Sequence, residues 1–356
     1  MKPSTTRKET KTLIGLLCLF CLAMPVASAS ANIVLNELMY HPPQIVDDNY
    51  EFLELYNTGT SAVNLQNWVI DGIGFTFPAG ASIGPNAYLV LAKDPNSVQS
   101  AFGFLPTYTY TGKLSNSGEA IKLLDANGVV VDEVDYLTVP PWPVLPDEEG
   151  PSLERIDPTL NGNTPRNWRA SIAPAGHTIG ALNSVNAVGL PPWISNVSNG
   201  TVQPGTPITV TATVQDATTV NLTYIINFGA AVVIPMRDDG LSGDGAAGDG
   251  VYGATIPFQS VNTLIRYQIN VTGPTGAMRY PRTDDSVNYT GTYIEDTPPL
   301  TGLPVVHWFI DPNDYTNAVA TCQTDVCYPS LVYYNGTLYD GMQIHARGNT
   351  ARSWPK

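Results

Sequence analysis

The sequence predicts an all-β extracellular chain of tandem β-sandwiches, and three observations carry that prediction. Charged residues are only 13% of the 356 and hydrophobic ones 43%. Short apolar segments alternate with polar residues at period 2, the spacing that aims successive side chains to opposite faces of a strand. Over residues 32–183 no segment sustains the 3.6-residue period of an amphipathic helix. Gly and Pro, 31 and 30 residues, punctuate these runs without reaching the roughly one-quarter share of low-complexity chains. The length fits two to three domains at about 150 residues each. Asp and Glu number 31 against 17 Lys and Arg, a net charge of −14. That balance excludes a protein that reads the anionic backbone of a nucleic acid.

Residues 1–29 are expected to be processed rather than folded. Lys2, Arg7, Lys8 and Lys11 precede the apolar run Leu13–Ala23, Pro25 breaks it, and Ala27-Ser28-Ala29 follows. This is the basic, apolar, small-residue order of a secretory signal peptide. The run is shorter than the ~18 residues of a spanning helix, so no membrane span is expected after cleavage. Loss of four cations and Glu9 on cleavage near Ala29 or Ala31 takes the net charge from −14 to −17. The expected location is secreted or cell-surface, reached through the Sec pathway. Cys322 and Cys327 then remain, five positions apart. In an exported chain they are expected to pair as a local disulfide, with two free thiols as the alternative. His307 and His345 do not stand at zinc-finger spacing from them.

The first β unit is expected over 32–183. Ile33–Leu38 starts it, and Tyr50–Tyr56 alternates in a way that aims Glu51 and Glu54 to different faces. Trp68–Ile70 and Tyr88–Leu91 follow, and Ile121–Leu124 and Val129–Val131 flank Asp125-Ala126-Asn127-Gly128, a hairpin signal because Asn-Gly tolerates positive φ. IVLNELMY at 33–40, EFLELYN at 51–57, VNLQNW at 63–68, LSNSGE at 114–119, SLER at 152–155 and Trp168 occur in that order. Together they resemble a bacterial lamin-tail domain. The resemblance implies an immunoglobulin-like sandwich with no chemistry of its own, appended to secreted or surface proteins. Glu51 and Glu54 lack the cleft of a glycosidase pair and are expected on solvated faces; a surface cation site shared by Glu37 and Glu54 is the minor alternative.

Residues 184–192 read as a linker ending in Pro191-Pro192, and 193–293 as a second sandwich. Its strands are Pro207–Val214, Val220–Ile225 and Ile265–Val271, rich in the Thr, Val and Tyr that suit a pleated surface. It resembles an immunoglobulin- or fibronectin-like spacer. Between its strands, Met236–Tyr252 places Asp238, Asp239, Asp244 and Asp249 among glycines. These oxygens are candidate Ca²⁺ ligands. The order departs from the D-x-[DN]-x-[DN]-G-x₅-E loop, and a tight connection of Asp-Gly turns is the other reading.

A further linker, 294–302, leads to 303–356. A strand at 303–310, a short helix at 313–320 capped by Asp314 and a hairpin turning at Asn335-Gly336 are expected. The run His345-Ala346-Arg347-Gly348-Asn349-Thr350-Ala351-Arg352-Ser353-Trp354-Pro355-Lys356 resembles the opening signature of a CotH-type spore-coat kinase, with His345 at the family's first Arg. The resemblance implies that Arg347, Arg352 and Lys356 belong to a nucleotide lobe. Phosphoryl transfer also needs an acceptor-positioning Asp and Mg²⁺ ligands, so ATP and Mg²⁺ are expected only if a longer chain completes the domain. With no catalytic residues assigned, the expected function is binding, anchoring or adhesion toward a surface protein or a polysaccharide.

Overall fold

A computed structural model describes residues 32–43, 48–147, 150–285, 287–296, 304–321 and 326–345. The expected signal segment lies outside them. In chain order the first sandwich comprises β1 (Ile33–Met39), β2 (Phe52–Asn57), β3 (Val63–Asn64), β4 (Val69–Asp71), β5 (Phe75–Thr76), β6 (Ser82–Ile83), β7 (Tyr88–Ala92), α1 (Pro95–Phe102), β8 (Tyr108–Thr109), β9 (Glu119–Leu124), β10 (Val130–Tyr136), β11 (Leu153–Arg155) and β12 (Trp168–Ala170). A six-stranded sheet ordered β12-β11-β1-β2-β7-β8 faces a four-stranded sheet ordered β10-β9-β4-β5. Leu35, Leu38, Leu53, Leu55 and Leu91 from the first sheet meet Ile70, Ile121, Leu123 and Val134 from the second, with Trp168 fully buried among them. The expected Asp125–Gly128 turn joins β9 and β10, and Gly128 adopts φ +80°.

Two local features depart from simple alternation. Between Leu35 and Glu37 the β1–β2 register slips, leaving Asn36 as an extra residue. Such a bulge re-aims the side chains beyond it, so Glu37 stands directly opposite Glu54. The second feature is α1, which the absence of a long helical period had hidden. Asp94 accepts from the Asn96 amide, Pro95 opens the helix and Gly103 closes it at φ +74°, a capping sequence that is its own signal.

The second sandwich comprises β13 (Trp193–Ser198), β14 (Ile208–Gln215), β15 (Thr219–Ile226), β16 (Ala231–Pro235), β17 (Val251–Ile256), β18 (Thr263–Gly273), β19 (Gly276–Tyr280) and β20 (Thr290–Ile294). One sheet runs β13-β14-β17; the other runs β16-β15-β18-β19, with β20 also paired to β18. Tandem sandwiches are therefore the observed class. Residues 184–192 lie along the first sandwich: Ala187 N donates to Ile156 O and Gly189 N to Asp157 Oδ2 at 2.7 Å. Arg166 donates to Pro191 O and pairs with Asp216, and Arg282 donates to Pro141 O at 2.8 Å while paired with Asp284 at 2.9 Å. These arginines tie the two sandwiches together.

The last unit is a three-stranded sheet ordered β21 (His307–Phe309), β22 (Tyr328–Tyr334) and β23 (Thr337–Ile344), with α2 (Pro312–Ala320) between β21 and β22. The α2 cap is Asp311, which accepts from the Asn313 amide; Asp314 sits in the first turn instead. Asn335 at φ +49° and Gly336 at φ +82° make the β22–β23 turn as expected. Leu331 and Leu338 bury against Leu264 of the second sandwich, and Asp340 accepts the Asn288 and Tyr289 amides. Among the described residues no helix is long and apolar enough to cross a membrane.

Candidate functional site

Glu51 and Glu54, expected on solvated faces, are buried, and two further acids are buried with them. Glu37, Glu51, Glu54 and Glu154 all have 0% relative exposure. Alternation does send Glu51 and Glu54 to opposite faces, but both faces are covered. Glu51 enters the main core, where it accepts from Leu114 N at 2.8 Å and Tyr110 O–H at 3.3 Å. Burial pushes its carboxyl up to about 7. Glu54, Glu37 and Glu154 form a row across β2, β1 and β11, since Glu37 is in register with both others. Residues 171–185 and α1 roof this outer face, with Ile179, Val98 and Phe102 packing on Met39, Phe52 and Val90 of the same sheet.

The row is held by neutral donors. Glu54 accepts from Asn36 Nδ2 at 2.8 Å and Gly180 N at 2.6 Å. Glu37 accepts from Ser152 Oγ at 2.6 Å and Thr178 N at 2.9 Å. Glu154 accepts from Ser184 Oγ at 2.7 Å. Thr178 Oγ1 lies 3.1 Å from Glu37 and 2.9 Å from Glu154. One hydroxyl proton satisfies only one of these contacts, so the pair is complete when one carboxyl is itself protonated. Burial pushes Glu37 up to about 7 and Glu54 well above its ordinary range, the Glu37 charge adding to the effect on Glu54. His177, edge-on to Phe52 and Phe102, is held below its usual value by burial. Among the described residues no group of three or more His, Cys, Asp or Glu is placed to hold a metal ion; the shared Glu37–Glu54 surface cation site is replaced by a buried hydrogen-bonded row.

The four Asp of the second sandwich turn inward on their own loop. Asp238 accepts from Gly248 N at 2.6 Å and Gly250 N at 2.9 Å, and Asp239 from Leu241 N and Ser242 N. Asp244 accepts from Gly240 N and Ser242 N, both at 2.8 Å, and Asp249 from Val251 N at 2.9 Å. Gly243 is required here: it adopts φ +76°, and a Cβ would meet Thr209 Cγ2 at 2.6 Å. Arg347, Arg352, Lys356 and Cys322 lie outside the described residues. Cys327 is exposed, its Sγ 3.8 Å from His345 Nδ1.

Sequence reasoning passed over a cleft of 480 Å³ where β20, β21 and the β22–β23 turn converge. Tyr293, His307, Tyr333, Asn335, Glu295 and Asp296 line it. His307 Nε2 is 2.6 Å from Glu295 Oε1. The Tyr293 and His307 ring centroids are 4.5 Å apart with planes inclined at 42°, and the Tyr293–Tyr333 planes are inclined at 59°. No local pattern signalled it, because Tyr293, His307 and Tyr333 come one each from three separate segments.

Fold and sites define a tandem immunoglobulin-like β-sandwich protein whose polar interior is structural. Residues 26–138 match the family model of the Lamin Tail Domain, and residues 188–287 that of the Conditioned medium factor 2nd Ig-like domain. A solved structure described as a Br derivative of BhCBM56 is 14% identical over 25% of this chain and 83% of its own, with a TM-score of 0.17. No curated protein matches.

Proposed function

We propose that this chain is an exported binding protein of the cell surface or extracellular space, in which the lamin-tail sandwich and the immunoglobulin-like module serve anchoring or adhesion to a surface protein or polysaccharide. The observation that carries this reading is the use of the buried acids. Glu37, Glu51, Glu54 and Glu154 are roofed over and bound to the chain's own hydroxyls and amides, which removes them from any substrate. A solvent-open cleft instead falls at a junction between units, where ligand sites are common. Export is supported by the composition of residues 1–29. The full chain, expressed with its native N-terminus, is expected in the extracellular or surface fraction beginning between Ala29 and Asn32, and to co-sediment with cell envelopes or insoluble polysaccharide. Retention of Met1 in the exported fraction, or failure to sediment with either material, would overturn the reading.

A second reading is the N-terminal portion of a secreted CotH-type protein kinase that transfers phosphate from ATP to Ser. The strand–helix–hairpin order of 307–344 running into the His345–Lys356 motif favours it. ATP turnover by this chain, lost in Arg347→Ala, would establish that reading over the first.

A further inference from the structure

We propose that the cleft between β20, β21 and the β22–β23 turn is a binding site for an alkylammonium cation, carried on a small molecule or on a lysyl side chain. The proposal rests on the binding reading above and names the ligand chemistry of one site within it.

The shape argues for a compact cation rather than a flat ring. Tyr293, His307 and Tyr333 come from three different strands, with centroids 4.5 to 6.4 Å apart. Their planes are mutually inclined by 42°, 45° and 59°. Sugar recognition by stacking uses one open ring face on which a pyranose lies flat. Inclined rings instead make a concave wall, along which ring faces, the negative side of the quadrupole, meet a rounded guest. That is the arrangement in which aromatic groups hold ammonium heads.

The charge argues the same way. Glu295 and Asp296 line the cleft, and among the described residues no Lys or Arg does. An anionic ligand would meet two carboxylates with His307 as the sole basic group among the described lining residues, and His307 is already directed at Glu295, 2.6 Å away. A cation gains attraction from Asp296 and from the rings, with the Glu295 carboxylate shared with His307. Asn335, at the left-handed first position of the β22–β23 turn, adds an amide that accepts a hydrogen bond from an ammonium N–H. The volume of 480 Å³ leaves room for the head and the first carbons of its stem.

The cage is built on a fixed base. Tyr293 O–H donates to Asn262 Oδ1 at 2.8 Å. Tyr333 and Phe309 pack on the Leu264–Leu331–Leu338 cluster that joins the last sheet to the second sandwich. The aromatic wall is therefore in place before a ligand arrives, which lowers the ordering cost of binding.

Isothermal titration of the full chain with choline, with tetramethylammonium and with Nα-acetyl-lysine amide is the test, with maltose as the neutral comparison. Both classes of cation are expected to bind and maltose is not. A preference for the quaternary ions assigns the site to small molecules, and a preference for the lysine amide to a protein side chain; either supports the proposal. Tyr333→Leu keeps the apolar packing and removes the π face, and is expected to weaken binding at least tenfold. Asp296→Asn, at an exposed position that does not carry the fold, is expected to weaken it severalfold, and increasingly as salt is lowered. Silence toward all three cations, equal binding of maltose, or unchanged affinity in both variants would overturn the proposal. The envelope and polysaccharide sedimentation assay separates the two levels of inference. Sedimentation with a silent titration refutes the cleft and leaves the binding reading standing; loss of both refutes both.

Discussion

Ionising Glu37 within the folded first sandwich should weaken that sandwich, and replacing it with glutamine should remove the effect. Glu37 is fully buried, with hydroxyl and amide partners only. Its neighbours on the same face are Glu54 from β2, Glu154 from β11 and His177 from the roofing segment, with Tyr88 of β7 beyond Glu54. Burial moves its carboxyl from 4.5 to about 7. The folded chain thus keeps the proton up to about pH 7, while the unfolded chain releases it near 4.5. The stabilisation that the neutral form confers is fully present below 4.5 and is lost as pH rises through 7. At about 1.4 kcal/mol per pH decade the loss is about 3 kcal/mol. Glutamine stays neutral throughout and retains an Oε1 for Ser152 and the Thr178 amide. Glu37→Gln should therefore match the parent near pH 4.5 and exceed it by up to about 3 kcal/mol at pH 8. Urea unfolding followed by tryptophan fluorescence at both pH values measures the difference, since Trp168 is buried in this sandwich. The protection factor of the Thr178 amide, which bonds Glu37, should fall above pH 7 in the parent and stay level in the variant. A variant less stable than the parent at pH 8, or with the same pH slope, would refute the reasoning.

Arg155 is 2% exposed and donates to Asp132 at 2.6 Å and to Leu35 O at 3.1 Å; Arg155→Ala should cost about 3–5 kcal/mol in urea unfolding, because it strands a buried carboxylate, and Asp132→Ala in the same chain should restore part of it. Arg282→Ala should leave both sandwiches folded by circular dichroism but raise hydrogen exchange around Trp142 and Trp193, since the Arg282 contacts to Pro141 O and the Trp193 ring tie the sandwiches together; unchanged exchange would count against that tie. The mature chain incubated with ATP, Mg²⁺ and Mn²⁺ should show no autophosphorylation and no ADP release above buffer, because positioning and charge stabilisation are most of phosphoryl-transfer catalysis; turnover abolished by Lys356→Ala would reverse that expectation.

What the sequence conveyed and what it withheld have a common physical origin. Period-2 alternation reports which side chains share a face, so the strands at 33–39, 52–57, 119–124, 208–215 and 263–273 were legible from it, as were the turns at Gly128 and Asn335-Gly336, where positive φ selects the residue. Helix α2 was legible too, although its cap fell to Asp311 because Pro312 fits the first helical position and needs a cap just before it. The helix α1 has eight residues and one buried apolar side chain, Val98, too few for a periodic signal; only Asp94-Pro95 marked it.

Alternation says nothing of whether a face is covered, and this is why Glu51 and Glu54 were placed in solvent. Glu54, and Glu37 beside it, are covered by the segment 171–185, which has no regular structure and reaches them from more than 110 residues away along the chain; Glu51 is met on the opposite face by Leu114 and Tyr110. No local pattern in either stretch encodes that contact. One trace of it was present: IVLNELM and FLELYN carry single acids inside otherwise apolar runs. A strand exposed on one face carries polar residues at every second position, whereas a strand covered on both faces is nearly continuous in its apolar residues. A lone Glu in such a run is therefore more consistent with a buried, hydrogen-bonded acid than with a solvated one. By the same argument Glu154, flanked by Leu153 and Arg155 on the three-residue β11, gave no such clue, and only the register with Glu37 placed it in the row. The cleft of Tyr293, His307 and Tyr333 was still further from view, because each segment contributes one ring and only the docking of the last sheet onto the second sandwich gathers them.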